Sequence, residues 1–387
     1  MKFKTVSMHK IITIVGARPQ IIKAAALSRA FKKYAQIKEL IVHTGQHYDF
    51  NMSAVFFEEL SIPKPDYQFE ITGGEQGNQT AQMLLNIEKV LLEEKPDLVI
   101  LYGDTNSTLA GALAAGKLQI PVAHIEAGMR SFNKVMPEEL NRIVTDHSST
   151  LLFSPTKTGI QNLRREGFSI DSIGIPTIDH PKVYHCGDIM LDNSLYFSKL
   201  ASQKSSILSK FKLEKNSFIL ATVHRNTTTD NPKRLASLME SLLNLANTRK
   251  ETVIFPLHPR TRKQLESIDN QALFYQIKNE NNLILTEPLA YLDMLQLEQN
   301  AKLIITDSGG VQKEAFYFQK PCIIARPETE WEELVELKTA ILCDVDKVKI
   351  EAAYLSFKAN PPKNFLPIFG DGKASEFIAT ELVKFLS

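Results

Sequence analysis

The stretch His9–Phe31, HKIITIVGARPQIIKAAALSRAF, decides how the rest of the chain is read. Its run Ile11–Val15 is apolar or β-branched throughout, too short for a helix and without polar alternation. That pattern predicts a strand buried on both faces. Gly16 allows a tight turn, Pro19 suits the first turn of a helix, and the helix continues through Lys23. A buried strand passing into a helix through so short a turn is the first half of a βαβ unit.

The same rhythm runs to the end of the chain. Further strands are predicted at Glu39–His43, Leu98–Tyr102, Val122–Ile125, Leu151–Phe153 and Val183–Cys186. A second series follows at Phe218–Val223, Val253–Pro256, Leu283–Thr286, Leu303–Thr306, Cys322–Ala325 and Ala340–Cys343. Helical stretches separate them, so the class is α/β with doubly wound parallel sheets. At 387 residues the chain exceeds what one hydrophobic core usually supports. Polar, helix-periodic Ser198–Lys215 divides the two series, giving expected domains at 8–200 and 201–370. The tail Asn360–Phe369 is proline-rich, and residues 371–387 hold a last helix, Ala374–Leu386.

Composition excludes several partners. Lysine plus arginine (45) nearly cancels aspartate plus glutamate (44), and the net charge of +1 gives no reason to expect nucleic acid or a membrane surface. Cys186, Cys322 and Cys343 are scattered and form no C-x-x-C, which supports neither a disulfide framework nor a zinc site. The N-terminal MKFKTVSMHKIITIVGARPQ carries basic residues, but its apolar run breaks at Gly16, Arg18 and Pro19. It reads as a strand rather than a leader, and a cytoplasmic protein is expected.

Ligands of open parallel sheets bind beyond the carboxyl ends of the strands, so the loops there are where chemistry belongs. After the first strand, Arg18 and Lys23 flank a helix N-terminus that favours anions, although an ordinary βα turn with a solvated arginine has the same pattern. Leu98–Tyr102 leads to Asp104, Val122–Ile125 to Glu126, and Pro137-Glu138-Glu139-Leu140-Asn141-Arg142 follows soon after. Asp104 also reads as a helix cap and Glu138 as a first-turn acid. Glu126 closes a buried strand and so needs a partner or a function. In the second series, His224 and Arg225 follow one strand and His258 another. Ser308-Gly309-Gly310 then presents bare backbone N–H groups suited to a pyrophosphate, with Glu314 placed for ribose hydroxyls. His124-x-Glu126 lacks the P-C-x-x-C of zinc deaminases, and His43 with His47 lacks an H-E-x-x-H, so no metal site is predicted.

In order along the chain, GARPQIIKAA (Gly16–Ala25), GDTNSTLAGALAA (Gly103–Ala115), HIEAGMRS (His124–Ser131), PEELNR (Pro137–Arg142), FSPT (Phe153–Thr156), DSGGVQKEA (Asp307–Ala315) and FGDGKAS (Phe369–Ser375) resemble the non-hydrolysing UDP-N-acetylglucosamine 2-epimerase family of bacteria. The resemblance implies a GT-B architecture, with two Rossmann-like domains facing a central cleft and the last helix packing back on the first domain. It implies a homodimer, a UDP-amino sugar as substrate, no cofactor, and a place in surface polysaccharide precursor synthesis. By position it makes Asp104, Glu126 and Glu138 acid–base groups, sets Arg18 and His224 near the diphosphate, and gives Lys23, Ser308, Gly309, Gly310 and Glu314 to the UDP seat. His224 is included among the catalytic residues; Arg142, Arg225 and His258 complete the substrate-binding set.

Three segments depart from the family pattern. His224-Arg225-Asn226-Thr227-Thr228 replaces H-R-R-E-N, and Gln46-His47-Tyr48-Asp49-Phe50 replaces Q-H-R-E-M, both associated with a second, activating substrate molecule. Thr329-Glu330-Trp331 replaces T-E-R and resembles the branch acting on UDP-2,3-diacetamido-2,3-dideoxyglucuronate. The alternatives are that substrate, a hydrolysing epimerase, a GT-B glycosyltransferase, and a nucleotide-sugar binding protein without catalysis.

Overall fold

A computed structural model describes residues 8–46, 64–71, 74–266 and 270–387. The segment His47–Phe50 lies outside the described residues. The chain divides into two compact units, one taking in the N-terminal part to Asn193 together with Pro367–Ser387, the other Ser194–Leu366.

The first unit holds β1 (His9–Val15), β2 (Ile37–His43), β3 (Tyr67–Gln68), β4 (Leu98–Tyr102), β5 (Val122–Ile125), β6 (Leu151–Ser154) and β7 (Lys182–His185). They form one sheet in the order β3-β2-β1-β4-β5-β6-β7. All its pairings are parallel. The second unit holds β8 (Phe218–Thr222), β9 (Thr252–Pro256), β10 (Leu283–Thr286), β11 (Leu303–Thr306), β12 (Cys322–Ile324) and β13 (Ala340–Leu342). Its order is β10-β9-β8-β11-β12-β13, again wholly parallel. Both are doubly wound, as expected, and in each the order reverses beside the first strand: between β1 and β4, and between β8 and β11.

Burial explains which strands the pattern captures. Leu98–Tyr102 is buried at every position because helices cover both faces of the sheet. Polar residues shift other edges. β1 begins at His9 because Lys10 is tied down: its backbone N–H donates to Asp97 Oδ2 at 2.8 Å and its ammonium meets Glu94 Oε2 at 2.7 Å. β3 was not expected. It is two residues long, lies at the sheet edge and is only partly buried, so it leaves no apolar run. The polar divider is helical, comprising Ile189–Lys204 and Ile207–Lys210, and the unit boundary falls inside the longer helix.

The returning C-terminal segment is fastened to the first unit by hydrogen bonds. Asp188 N–H donates to Phe369 O at 2.8 Å, and Phe369 is buried. Gly187 has a φ of +79°, and a Cβ there would stand 2.8 Å from that same carbonyl, which explains the glycine. The Asp192 carboxylate accepts from Ala374 N–H (3.1 Å), Ser375 N–H (2.7 Å) and the Ser375 hydroxyl (2.6 Å), closing the start of helix Ala374–Leu386. That helix buries Ile378, Ala379 and Leu382, and Tyr34 and Thr380 share a 2.9 Å hydroxyl contact.

Removing the Asp192 carboxylate leaves orphaned N–H groups at a buried helix start. In Asp192→Ala, amide hydrogen exchange across 374–386 is expected to speed up by an amount corresponding to roughly 2 kcal/mol of local stability. Protection in that helix equal to the wild type would contradict this assignment.

Candidate active site

At the first reversal point, Gln20 ties two strand ends together. Its side-chain oxygen accepts from Gly16 N–H (2.8 Å) and Ala17 N–H (3.1 Å), and its amide nitrogen donates to Tyr102 O (2.8 Å) and Thr108 Oγ1 (2.9 Å). The residue is buried, and all four capacities of the carboxamide are used. It thus holds the turn after β1 against the turn after β4. Gly16 is required by crowding: a Cβ would lie 2.0 Å from Ser107 Oγ and 2.2 Å from Thr44 Oγ1.

Two carboxylates stand above this floor, each with its own cation. Arg142 Nη2 hydrogen-bonds Asp104 Oδ2, and Lys23 Nζ hydrogen-bonds Glu126 Oε2. Arg142 and Lys23 are buried residues. Burial pushes the Asp104 carboxyl above its ordinary range; Arg142 pulls it down, Glu126 pushes it up, and the net direction is upward. Glu126 is a non-glycine residue at φ +76°, a conformation that costs about 1–3 kcal/mol and is found where function over-determines the backbone. Gly103 beside it has φ +63°, and a Cβ there would come within 3.2 Å of Glu126 Oε2 and 3.4 Å of Lys23 Nζ.

The helix Pro137–His147 supplies the opposite wall of this cluster. Asn141 Nδ2 donates to Asp104 O at 2.9 Å. Glu139, predicted only as a neighbour of Glu138, is the buried member of the pair. It accepts from Ser131 N–H (2.9 Å), Ser131 Oγ (3.0 Å), Phe132 N–H (2.9 Å) and Arg142 Nη1 (3.1 Å). Glu138 is exposed in the first turn and makes no side-chain hydrogen bond or ion pair among the described residues; four residues before Arg142, it shares that residue's helix face. Arg18 is exposed at the start of helix Arg18–Phe31.

Behind the strand ends lies a buried relay that sequence reading missed. His124 Nε2 stands 2.7 Å from Gly103 O, and its Nδ1 2.7 Å from Asp146 Oδ1. A carbonyl and a carboxylate are both acceptors, so the ring is held between two acceptor oxygens, one on each nitrogen. Asp146 also meets Arg130 Nη2 at 2.7 Å and accepts from Gly128 N–H at 3.1 Å. Burial pushes the Asp146 carboxyl up, but His124 and Arg130 outweigh it and hold it below its ordinary range. The relay fixes Gly103 and the Ala127–Arg130 turn, and so the backbones that carry Asp104 and Glu126.

The second unit repeats the plan at its own reversal point. Asp307, wholly buried at the end of β11, accepts from His224 N–H (3.1 Å) and Arg225 N–H (2.8 Å), fixing the loop after β8. Desolvation lowers the His224 imidazole below its ordinary range; Arg225 and His258 push the same way and Asp307 opposes them. His258 is exposed after β9. Ser308 caps helix Gly309–Tyr317, which carries Gly310 and buried Glu314. The Thr329-Glu330-Trp331 segment folds onto this helix. Thr329 Oγ1 donates to Gln312 Oε1 at 2.6 Å, Arg326 forks onto Glu330 at 2.9 and 3.0 Å, and Lys313 Nζ lies 4.2 Å above the Trp331 ring. Asp307 carries the signal that singled out Glu126, an acid closing a buried strand. Gln20 and Asp146 carry no signal without their partners. Among the described residues no group of three or more His, Cys, Asp or Glu side chains could hold a metal ion, and no helix is long and apolar enough to cross a membrane.

Two doubly wound sheets, each with polar and charged groups gathered where its strand order reverses, define a two-domain α/β protein of the Rossmann type. Comparison with known proteins narrows the class. The family model for UDP-N-acetylglucosamine 2-epimerase matches residues 29–383. The UDP-2,3-diacetamido-2,3-dideoxy-D-glucuronate 2-epimerase of Pseudomonas aeruginosa is 47% identical over 97% of this chain and 99% of its own. The crystal structure of the Methanocaldococcus jannaschii UDP-GlcNAc 2-epimerase, in complex with UDP-GlcNAc and UDP, is 42% identical and matches with a TM-score of 0.84, covering 97% of this chain and 99% of that one. A Neisseria meningitidis UDP-GlcNAc 2-epimerase bound to UDP-GlcNAc matches at 0.83 and 31% identity, over 97% of this chain and all of that one. The chain belongs to the UDP-N-acetylglucosamine 2-epimerase family, and is therefore an isomerase.

The Asp146 relay makes stability depend on acidity. Its folded carboxyl titrates below the unfolded value, so its contribution is complete above the unfolded carboxylate range and fades as pH falls through the folded value. Asp146→Asn takes the carboxylate from the buried His124 ring and leaves Arg130 only Glu166 as counter-ion, and should cost about 3 kcal/mol at neutral pH, with a smaller loss in acid. Urea denaturation at pH 7 and at a series of pH values below 3.8 measures both; a cost that stays constant down that series would overturn the charge assignment.

Proposed function

We propose that the chain is a non-hydrolysing UDP-N-acetylglucosamine 2-epimerase, interconverting UDP-N-acetylglucosamine and UDP-N-acetylmannosamine. A carboxylate takes the proton from C2 as the C1–O bond breaks, and the bonding pair leaves with UDP, giving a 2-acetamidoglycal. An acid then returns a proton to the opposite face of C2 as the UDP oxygen adds back to C1. One proton leaves and one arrives, so the balance calls for no redox cofactor.

The observation that carries this reading is the pair of separately neutralised carboxylates at one reversal point, Asp104 with Arg142 and Glu126 with Lys23. Two acids with different partners are what removal and delivery of a proton on opposite faces require. The upward direction at Asp104 suits a group that holds its proton nearer neutrality. Glu138 is the third acid of this set. In the second unit Arg225, with His224 and His258, meets the charge of the departing diphosphate in this reading.

The glycines of the second unit support a phosphate seat. A Cβ at Gly309 would meet Trp331 Nε1 at 3.4 Å and Glu330 Oε2 at 3.5 Å, and one at Gly310 only Ser308 Oγ at 3.7 Å. These are ordinary contacts, so nothing among the described residues demands glycine there. Yet glycine is a poorer helix former than alanine, a cost that the packing around it does not explain. A ligand pressed against the Ser308–Gly310 N–H groups accounts for that cost, with Glu314 placed for the ribose.

A second reading, UDP-2,3-diacetamido-2,3-dideoxyglucuronate as substrate, is favoured by Trp331 and by the Pseudomonas relative. One experiment serves both. Purified protein is incubated with each sugar nucleotide in deuterium oxide and followed by NMR. One deuterium at C2 and reversible formation of the 2-epimer are expected, and the larger kcat/KM names the substrate. No exchange with either would end the proposal, and steady release of free sugar would identify a hydrolysing enzyme. Asp104→Asn and Glu126→Gln should each lower turnover by about 10²–10⁴.

A further inference from the structure

The second unit also contains a cavity of about 460 Å³ at the amino ends of its strands, away from the reversal-point loops. It lies where Glu251, Lys302 and Lys320 precede β9, β11 and β12, and helix Lys347–Ala359 contributes Tyr354, Phe357 and Lys358. The Glu251 carboxylate is already committed: it accepts from the Tyr354 hydroxyl and pairs with Lys302, while Lys358 Nζ lies 3.4 Å away. Lys320 is different. It is buried, its ammonium donates to the neutral Asn216 Oδ1 at 2.7 Å, and no carboxylate pairs with it among the described residues. Burial, with Lys215 adding repulsion, lowers this amine to about 8. Three lysines therefore meet one saturated carboxylate, beside the apolar ring of Phe357 and flanking prolines.

We propose that this cavity binds a small organic anion, its phosphate or carboxylate seated on Lys320 and its apolar body against Phe357. A buried cation without a counter-ion is costly, and an anion supplied by a ligand is the compensation the arrangement lacks. The volume is within the range of small-molecule sites, and the mixture of apolar wall and few convergent polar groups is their usual make-up. The site does not depend on the proposed reaction, since it shares no residue with the reversal-point clusters.

Titration calorimetry tests it on protein saturated with UDP, so that the nucleotide seat is already filled. Phenyl phosphate and benzoate distinguish a phosphate from a carboxylate ligand, inorganic phosphate tests the anion alone, and benzyl alcohol the apolar body alone. At least one aromatic anion is expected to bind once per chain, inorganic phosphate more weakly and benzyl alcohol not at all. Affinity should fall as pH rises through about 8, where the empty-site Lys320 amine loses its proton. Tyr354 and Lys358 are both raised and stay protonated in that range; the remaining charged neighbours are Lys215, Lys302 and Glu251. Lys320→Met and Lys358→Met should each weaken binding about tenfold, leaving UDP affinity and epimerase turnover at the wild-type level. Lys358 is exposed, so its substitution keeps the test usable if Lys320→Met does not fold. No heat from either aromatic anion, or unchanged affinity in every variant that retains UDP binding, would overturn the proposal.

Discussion

Every strand pairing in both sheets is parallel, and from that constraint the placement of chemistry follows. Parallel strands deliver all their carboxyl ends to one edge, and doubly wound connections part at the reversal point, leaving a crevice that the helices cannot fill. In the first unit that crevice is bridged by one buried side chain, Gln20, whose amide is fully engaged with the turns after β1 and β4. The second unit solves the same problem with a charge, since Asp307 gathers two backbone N–H groups from the loop after β8. In each case the geometry of the outer groups is set by a polar residue that faces inward.

The electrostatics are arranged in layers. Asp146, His124 and Arg130 lie wholly within the fold, and the Asp146–Arg130 ion pair and the His124 hydrogen bond to Asp146 offset the burial of the Asp146 carboxyl. Above them Asp104 and Glu126 are only partly shielded, each held by one cation. The inner layer is engaged within itself and with the Gly103 and Met129 carbonyls, the Gly128 N–H and Glu166. In the outer layer burial outweighs the cation at Asp104 and leaves its carboxyl above the ordinary range. The unusual φ of Glu126 belongs to the same design: a strand end pinned from below by His124 and Gly128 pays for its strain through the relay.

The strands were legible where both faces are buried. Leu98–Tyr102, Val122–Ile125 and Leu303–Thr306 match residue for residue, because buried runs this short are too short for a helix. The edge strand Tyr67–Gln68 was not, since a two-residue pairing at a sheet margin carries almost no hydrophobic signature. Acids that terminate buried strands announced themselves in composition and order. Their partners did not: Lys23 and Glu126 are 103 residues apart, and only the fold brings them together. Gln20 sits among apolar neighbours in a helix, where nothing in the local sequence separates a structural amide from a solvated one.

The Thr329-Glu330-Trp331 segment shows how a departure from family pattern can act at one remove. Trp331 is almost fully buried, with Lys313 over its ring and its indole nitrogen near the position a Cβ on Gly309 would take. Thr329 holds Gln312, and Glu330 is held by Arg326 and approached by Arg225 at 3.8 Å. Each residue of the segment therefore bears on helix Gly309–Tyr317 or on the loop after β8. An arginine at position 331 would bring a charge into a site now occupied by an aromatic ring and would compete with Lys313 for the same space. The segment and the helix must then change together, so a substitution at 331 acts through how the glycine turn is propped.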